Sequence, residues 1–138
     1  VQIYITNSST HVENWISQKV FDRNCDTIGV DMEWKPVFSA SHYSKVSLIQ
    51  ISTRDDCILY HIHHSSRSSN NQVPAALQAL FENSSIRKVG VGIHGDAKKF
   101  KQDWGCDILG RVDLAEVVAA LGHIDLTSLK KIAENVLS

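Results

Sequence analysis

The chain has no apolar run near the roughly 20 residues that span a bilayer, and its start lacks a secretory leader's charged and then apolar design. A membrane role is therefore not expected. It has only three cysteines, Cys25, Cys57 and Cys106, odd in number, widely spaced and without a CxxC pair, which argues against a disulfide framework or a zinc knuckle. A reducing interior compartment, nucleus or cytoplasm, fits that usage. Neither sign of charge dominates: the formal net charge is −1, so no basic field marks a nucleic-acid binder and any such role must rest on a local site. A first residue of valine rather than methionine hints at a chain cut from a longer protein or processed.

What remains is an ordinary globular composition, 43% hydrophobic and 21% charged over 138 residues, enough for one domain around one core. Alternation and β-branching over 1–6 predict a strand, and helical spacing of Val12, Trp15, Ile16 and Val20 predicts a helix over 11–20. A second strand over 27–34 places Ile28, Val30 and Met32 on one face and Gly29, Asp31 and Glu33 on the other. Residues 35–44 read as a loop. Strands over 45–52 and 56–62, split by a short polar segment, predict an antiparallel hairpin and, with the strand before them, a meander. The Ser-, Asn- and His-rich stretch 63–72 reads as a surface loop. Pro74 opens a helix to about 83, its stripe formed by Ala76, Leu77, Leu80 and Phe81. A strand over 87–93 and a helix over 96–104, starting just beyond Gly95, follow, with further helices over 113–121 and 126–137. The order implies an α/β domain with a mixed sheet.

Residues two apart on a strand share a face and lie roughly 7 Å apart, so Asp31 and Glu33 present two carboxylates together. Such a pair is costly without cations, and hard divalent ions with oxygen ligands are the natural partners. A half-exposed strand also carries such a pair simply solvated. Asp96 stands at a strand-to-helix junction, where a helix cap is the plain reading and a functional group the other. Three acids at the ends of two strands in one small domain are what a metal site needs.

The segments IGVDMEWKP, KVSLIQIS, CILYHI and KVGVGIHGDAKKFKQDWG resemble, in order and spacing, the exonuclease domain of Werner-type proteins in the DEDD superfamily. The resemblance implies an RNase H-like (DnaQ-like exonuclease) fold, a central mixed β-sheet flanked by helices. It implies 3′-5′ exonuclease activity on a nucleic acid 3′ end, DNA or RNA, through two Mg²⁺ or Mn²⁺ ions. Carried over, the first motif falls on Asp31 and Glu33 and the second on Asp96. Met32, Trp34 and Lys99 fall beside them as expected substrate-binding residues.

The family's third motif, a tyrosine followed four positions on by a fourth aspartate, has no counterpart: the tyrosines are Tyr4, Tyr43 and Tyr60, all before Asp96. Asp113 and Asp125 are poor stand-ins, the first at a structural Asp-Leu pair and the second placed like a helix cap. The expectation is that 1–138 is an exonuclease-like domain lacking its C-terminal part, weakly active or inactive alone, with a parent-chain segment or a partner completing the site. A non-catalytic binding module is the alternative.

Lesser signals compete. Lys35, Lys98 and Lys99 are candidate phosphate contacts, though charges on a loop and a helix are usually just solvated. Cys57 with His61, His63 and His64 matches no common zinc spacing. Gly90, Gly92 and Gly95 form GxGxxG, with Asp113 near the distance of a ribose-binding acid, which admits a dinucleotide-binding oxidoreductase fragment. That reading leaves Asp31 and Glu33 unexplained.

Overall fold

The alternation around Asp31 becomes a strand in a computed structural model that describes residues 1–35, 43–64, 72–123 and 125–136. The expected loop over 35–44 therefore lies largely outside the described residues, as does most of the loop over 63–72. The strands are β1 (Gln2–Thr6), β2 (Thr27–Glu33), β3 (Leu48–Ser52), β4 (Asp56–Tyr60), β5 (Arg87–Gly90) and β6 (Arg111–Asp113). They form one mixed sheet in the order β1-β4-β3-β2-β5-β6. The meander β2-β3-β4 is antiparallel, as its short polar connection predicts, while β1 joins β4, β5 joins β2 and β6 joins β5 in parallel.

Five helices, α1 (Ser9–Ile16), α2 (Ala75–Glu82), α3 (Ile93–Trp104), α4 (Leu114–Ala120) and α5 (Leu129–Val136), accompany the sheet. The Ser8 hydroxyl caps α1 by accepting from the His11 N–H at 3.3 Å. The helix continues as a wider turn, Ser17–Phe21, in which the N–H groups of Asp22 and Cys25 reach back five residues to Ser17 and Val20. That turn brings Lys19 and Arg23 to the buried Asp56, at 3.7 and 3.1 Å. Pro74 stands at the cap of α2, where its missing N–H costs nothing, and Leu77, Leu80 and Phe81 are buried as the stripe requires.

The two faces of the sheet are covered unequally. Ile28, Val30 and Met32 of β2, Ile49 and Ile51 of β3, and Ile58 and Tyr60 of β4 meet α1, α2 and α3 in one continuous core. Each fully buried Ile, Leu or Phe there contributes about 1.5–3 kcal/mol. On the opposite face Gly29, Asp31, Gln50 and Ser52 look toward Leu114 and Leu129 across a cavity of about 330 Å³. A second, smaller cluster, Val118, Leu126 and Ile132, closes α4 and α5 together.

Three expectations need correction. The strand expected to reach 93 stops at Gly90, and α3 begins at Ile93 rather than beyond Gly95, because Gly92 takes the left-handed conformation (φ 69°) that ends a strand. A short sixth strand, Arg111–Asp113, had no alternation to reveal it. The last helix starts at Leu129, not 126, and Ser128 supplies its cap by accepting from the Lys131 N–H at 3.3 Å, so Asp125 does not.

Candidate active site

Parallel pairing of β2 with β5, in register at Gly29 opposite Val89, brings the C-terminal ends of both strands to one edge of the sheet. β2 there carries Asp31 and Glu33, and the chain leaving β5 turns into α3. The turn lies directly on β2: a Cβ on Gly90 would stand 2.6 Å from the Val30 carbonyl oxygen, one residue before Asp31. Only a glycine permits that approach. Gly92 then occupies the helix cap, and its carbonyl accepts from the N–H groups of Gly95 and Asp96 at 3.1 and 3.2 Å. The cap reading of Asp96 therefore fails: its side chain is inside the first turn and caps nothing.

The electrostatics show which acids stand together. Burial pushes the Asp96 carboxyl up to about 7, and the negative charges of Asp31, Glu33 and Asp113 push the same way. Asp96 is 8% exposed, and its Oδ2 has no hydrogen-bond partner among the described residues. Asp31 is half-buried, its Oδ1 accepting from the Met32 N–H at 3.0 Å, and Glu33 is exposed. A buried, orphaned carboxylate oxygen among other carboxylates lacks only positive charge. Hard oxygen donors of this kind suit a divalent ion such as Mg²⁺ or Mn²⁺.

Asp113, by contrast, is fully engaged. Its Oδ1 caps α4 from the Ala115 N–H at 2.9 Å and its Oδ2 accepts from the Gly92 N–H at 3.1 Å. It thus holds the turn that presents Asp96. His94, Asp113 and Glu116 also bring ligand atoms within 4.8 Å of one another. Arg111, however, donates to His94 Nδ1 at 3.1 Å, which leaves the ring proton on Nε2, 3.4 Å from Glu116. The His94 ring is thus engaged by Arg111 and Glu116, and Asp113 by backbone N–H groups. The same contacts remove the dinucleotide reading, because the Gly92 N–H that a pyrophosphate would need is given to Asp113. Cys57, His61 and His63 form no metal-holding group among the described residues.

On the substrate side the three expected residues separate. The Met32 side chain is buried in the core, on the face away from the acids, so only its backbone borders the site. Trp34 is 37% exposed, and the Lys99 ammonium stands 5.3 Å from its ring centre. Lys99 also donates to the Ser44 carbonyl at 2.8 Å and pairs with Asp103 at 3.2 Å. Lys35 and Lys98 are exposed. Sequence reasoning missed Tyr43 and Asp103. Asp103, its side chain fully buried, accepts from the Tyr43 hydroxyl and from the Val46 N–H, and neighbouring Trp104 donates to the Val46 carbonyl at 3.1 Å. An acid following Ala97 and Phe100 on the apolar stripe of α3, four residues after a lysine, was the available signal.

Residues 3–138 match a family model described as 3′-5′ exonuclease. The chain belongs to this exonuclease family. It is 33% identical, over 99% of its length, to the bifunctional 3′-5′ exonuclease/ATP-dependent helicase WRN of Mus musculus, covering 9% of that protein. It is 34% identical, over 84% of its length, to a 3′-5′ exonuclease of Arabidopsis thaliana, of which it covers 41%. The chain thus spans less than half of these curated relatives. Among solved structures, the EXD2 exonuclease domain soaked in Mn and Mg superposes with a TM-score of 0.74 at 25% identity, over 99% of this chain and 69% of that one. The exonuclease domain of this chain therefore has the RNase H-like, DnaQ-type fold. Among its described residues no helix is long and apolar enough to cross a membrane.

Proposed function

We propose that the chain provides the first two carboxylate motifs of a nuclease that removes nucleotides from a nucleic acid 3′ end by phosphodiester hydrolysis, with Asp31, Glu33 and Asp96 as metal ligands. The observation that carries this reading is the buried Asp96 Oδ2, without a hydrogen-bond partner among the described residues, in a carboxyl that burial and the neighbouring carboxylates raise to about 7. Two Mg²⁺ or Mn²⁺ ions, when bound, would polarise the phosphodiester and make water a nucleophile at neutral pH.

The chain's own residues prepare for that chemistry. Asp31 and Glu33 present oxygens from a rigid strand, so they need not be ordered when substrate arrives. Burial, with the neighbouring acids, raises the Asp96 carboxyl to about 7, so a cation bound there at lower pH would displace its proton to solvent. Trp34, Lys99 and the Met32 backbone border the path of the terminal nucleotide. Asp113 is committed to backbone N–H groups and is not counted as a fourth ligand, and three carboxylates alone make a weak site for two ions.

Two measurements test this. Mn²⁺ should raise the melting temperature of the chain, and Asp31→Asn should abolish that rise; an unchanged rise sinks the metal assignment. A 5′-labelled oligonucleotide with Mn²⁺ should be shortened slowly or not at all by residues 1–138. Rapid 3′ degradation would overturn the need for a fourth ligand.

A further inference from the structure

Away from the acids, one edge of the sheet is used neither by the core nor by the proposed chemistry. β1 is an end strand, separated from β2 by β4 and β3, and among the described residues no strand pairs with its outer side. The Gln2 N–H donates to the Asp55 carbonyl and the Thr6 carbonyl accepts from the His61 N–H, so in this parallel ladder Gln2, Tyr4 and Thr6 turn their backbone groups to β4. Ile3 and Ile5 turn theirs outward. Their side chains, in register with Cys57 and Leu59 of β4, are 62% and 71% exposed. Edge strands are commonly blunted by a charge, a proline or a bulge, and the sequence QIYIT, paired without interruption, has none of these. On the other face α1 stands back from β1 and leaves a groove of about 510 Å³, lined among others by Tyr4, His11, Trp15, Gln18 and Ile58. The buried Trp15 side chain, 5% exposed, has an indole N–H without a hydrogen-bond partner among the described residues. A buried donor left unpaired is costly, and this one borders the groove.

We propose that β1 is a dimerisation edge, pairing antiparallel with β1 of a second copy of this chain, Tyr4 opposite Tyr4 and Ile3 opposite Ile5. The strand is complementary to itself in that register. Ile3 of one copy and Ile5 of the other, whose backbone groups both point outward, exchange N–H and C=O bonds, and the two-fold axis repeats the exchange. On the open face the exposed isoleucines of the two copies cover one another. On the other face Gln2 meets Thr6, a neutral polar pair, and the second copy's β1 brings amide and hydroxyl oxygens to the groove, where one of them accepts from Trp15. No residue of β1 is charged, so the strand does not repel its own copy. A second copy is favoured over a foreign strand because both faces match at once, apolar on apolar and polar on polar. β1 runs parallel to β2, so the Asp31 edges of the two copies lie at opposite ends of the joined sheet, on the same face.

An edge of five residues is a small interface, so the dimer should dissociate in the micromolar range. Sedimentation equilibrium between about 5 and 500 µM should show the mass rising from one chain toward two. Ile3→Lys and Ile5→Glu each set a charge against an isoleucine, and each alone should weaken the dimer by about tenfold or more. Both positions are mostly exposed, so neither change enters the core, and melting temperatures equal to the parent's at the lowest concentration verify the fold. Mixing the two variants should restore association, because the register places the introduced lysine against the introduced glutamate and keeps one Ile3–Ile5 pair intact. A parent that stays monomeric over the whole range leaves the edge to a foreign strand and overturns the proposal. Variants that associate as tightly as the parent overturn it too, and a mixture no tighter than either variant alone rules out this register.

Discussion

The two faces of the sheet are made by the same strands and obey different rules. On the closed face every side chain of β2, β3 and β4 is buried against three helices. On the open face the same strands carry Gly29, Asp31, Glu33, Gln50 and Ser52, half-buried or exposed, and the covering helices reach only part of it. The period of two lets one segment supply core and chemistry at once, so the acids can change without touching what holds the sheet together. Stability and the proposed chemistry are thereby separated by one residue along β2.

The largest test of this contrast is Ile51→Ala on the closed face. Ile51 is fully buried, and urea unfolding should show a loss of about 2–5 kcal/mol. Asp96→Asn should act in the opposite direction. Its carboxyl is protonated more readily in the fold, at about 7, than in the unfolded chain, so stability is full below the unfolded value and is lost as pH rises toward 7. In metal-free buffer the Asn variant should gain up to about 4 kcal/mol over the parent at pH 8, and the gain should vanish near pH 4. A gain equal at both pH values would refute the burial of charge as its cause.

Lys88 is the exception on the closed side, a fully buried lysine on β5 whose ammonium burial pulls down to about 8. A lowered lysine contributes stability above its unfolded value that is lost as pH falls through 8. Lys88→Met should therefore stabilise by about 1–3 kcal/mol at pH 7, less as pH approaches 10. The Asn83 carbonyl keeps a partner in that variant, the Ile86 N–H at 3.2 Å. The smallest effect belongs to Gln50→Ala on the open face, within about 0.5 kcal/mol of the parent. If it matched Ile51→Ala, the distinction between the faces would be wrong.

How far all this could be read in advance follows from the range of each interaction. Strands β2, β3 and β4 were legible because alternation is local, and α2 because proline and a four-residue apolar stripe are local too. The start of α3 was misplaced since three glycines stand close together and only the fold shows that Gly92 takes the positive φ. Asp31 and Glu33 could be placed on one face by period alone; Asp96 needed the resemblance, because a cap was the simpler reading until the helix proved to begin earlier. Tyr43 meets Asp103 across 60 residues of chain, and no local pattern encodes such a contact.

Gly90 has a consequence for how this protein tolerates change. It belongs to neither cluster of apolar side chains, yet a single methyl group there would meet the β2 backbone at 2.6 Å and wedge the Asp31 strand away from the turn bearing Asp96. In a population of variants, alanine at this position would pass a solubility screen more easily than an activity screen, marking the gap between two backbones as an inherited dimension in its own right.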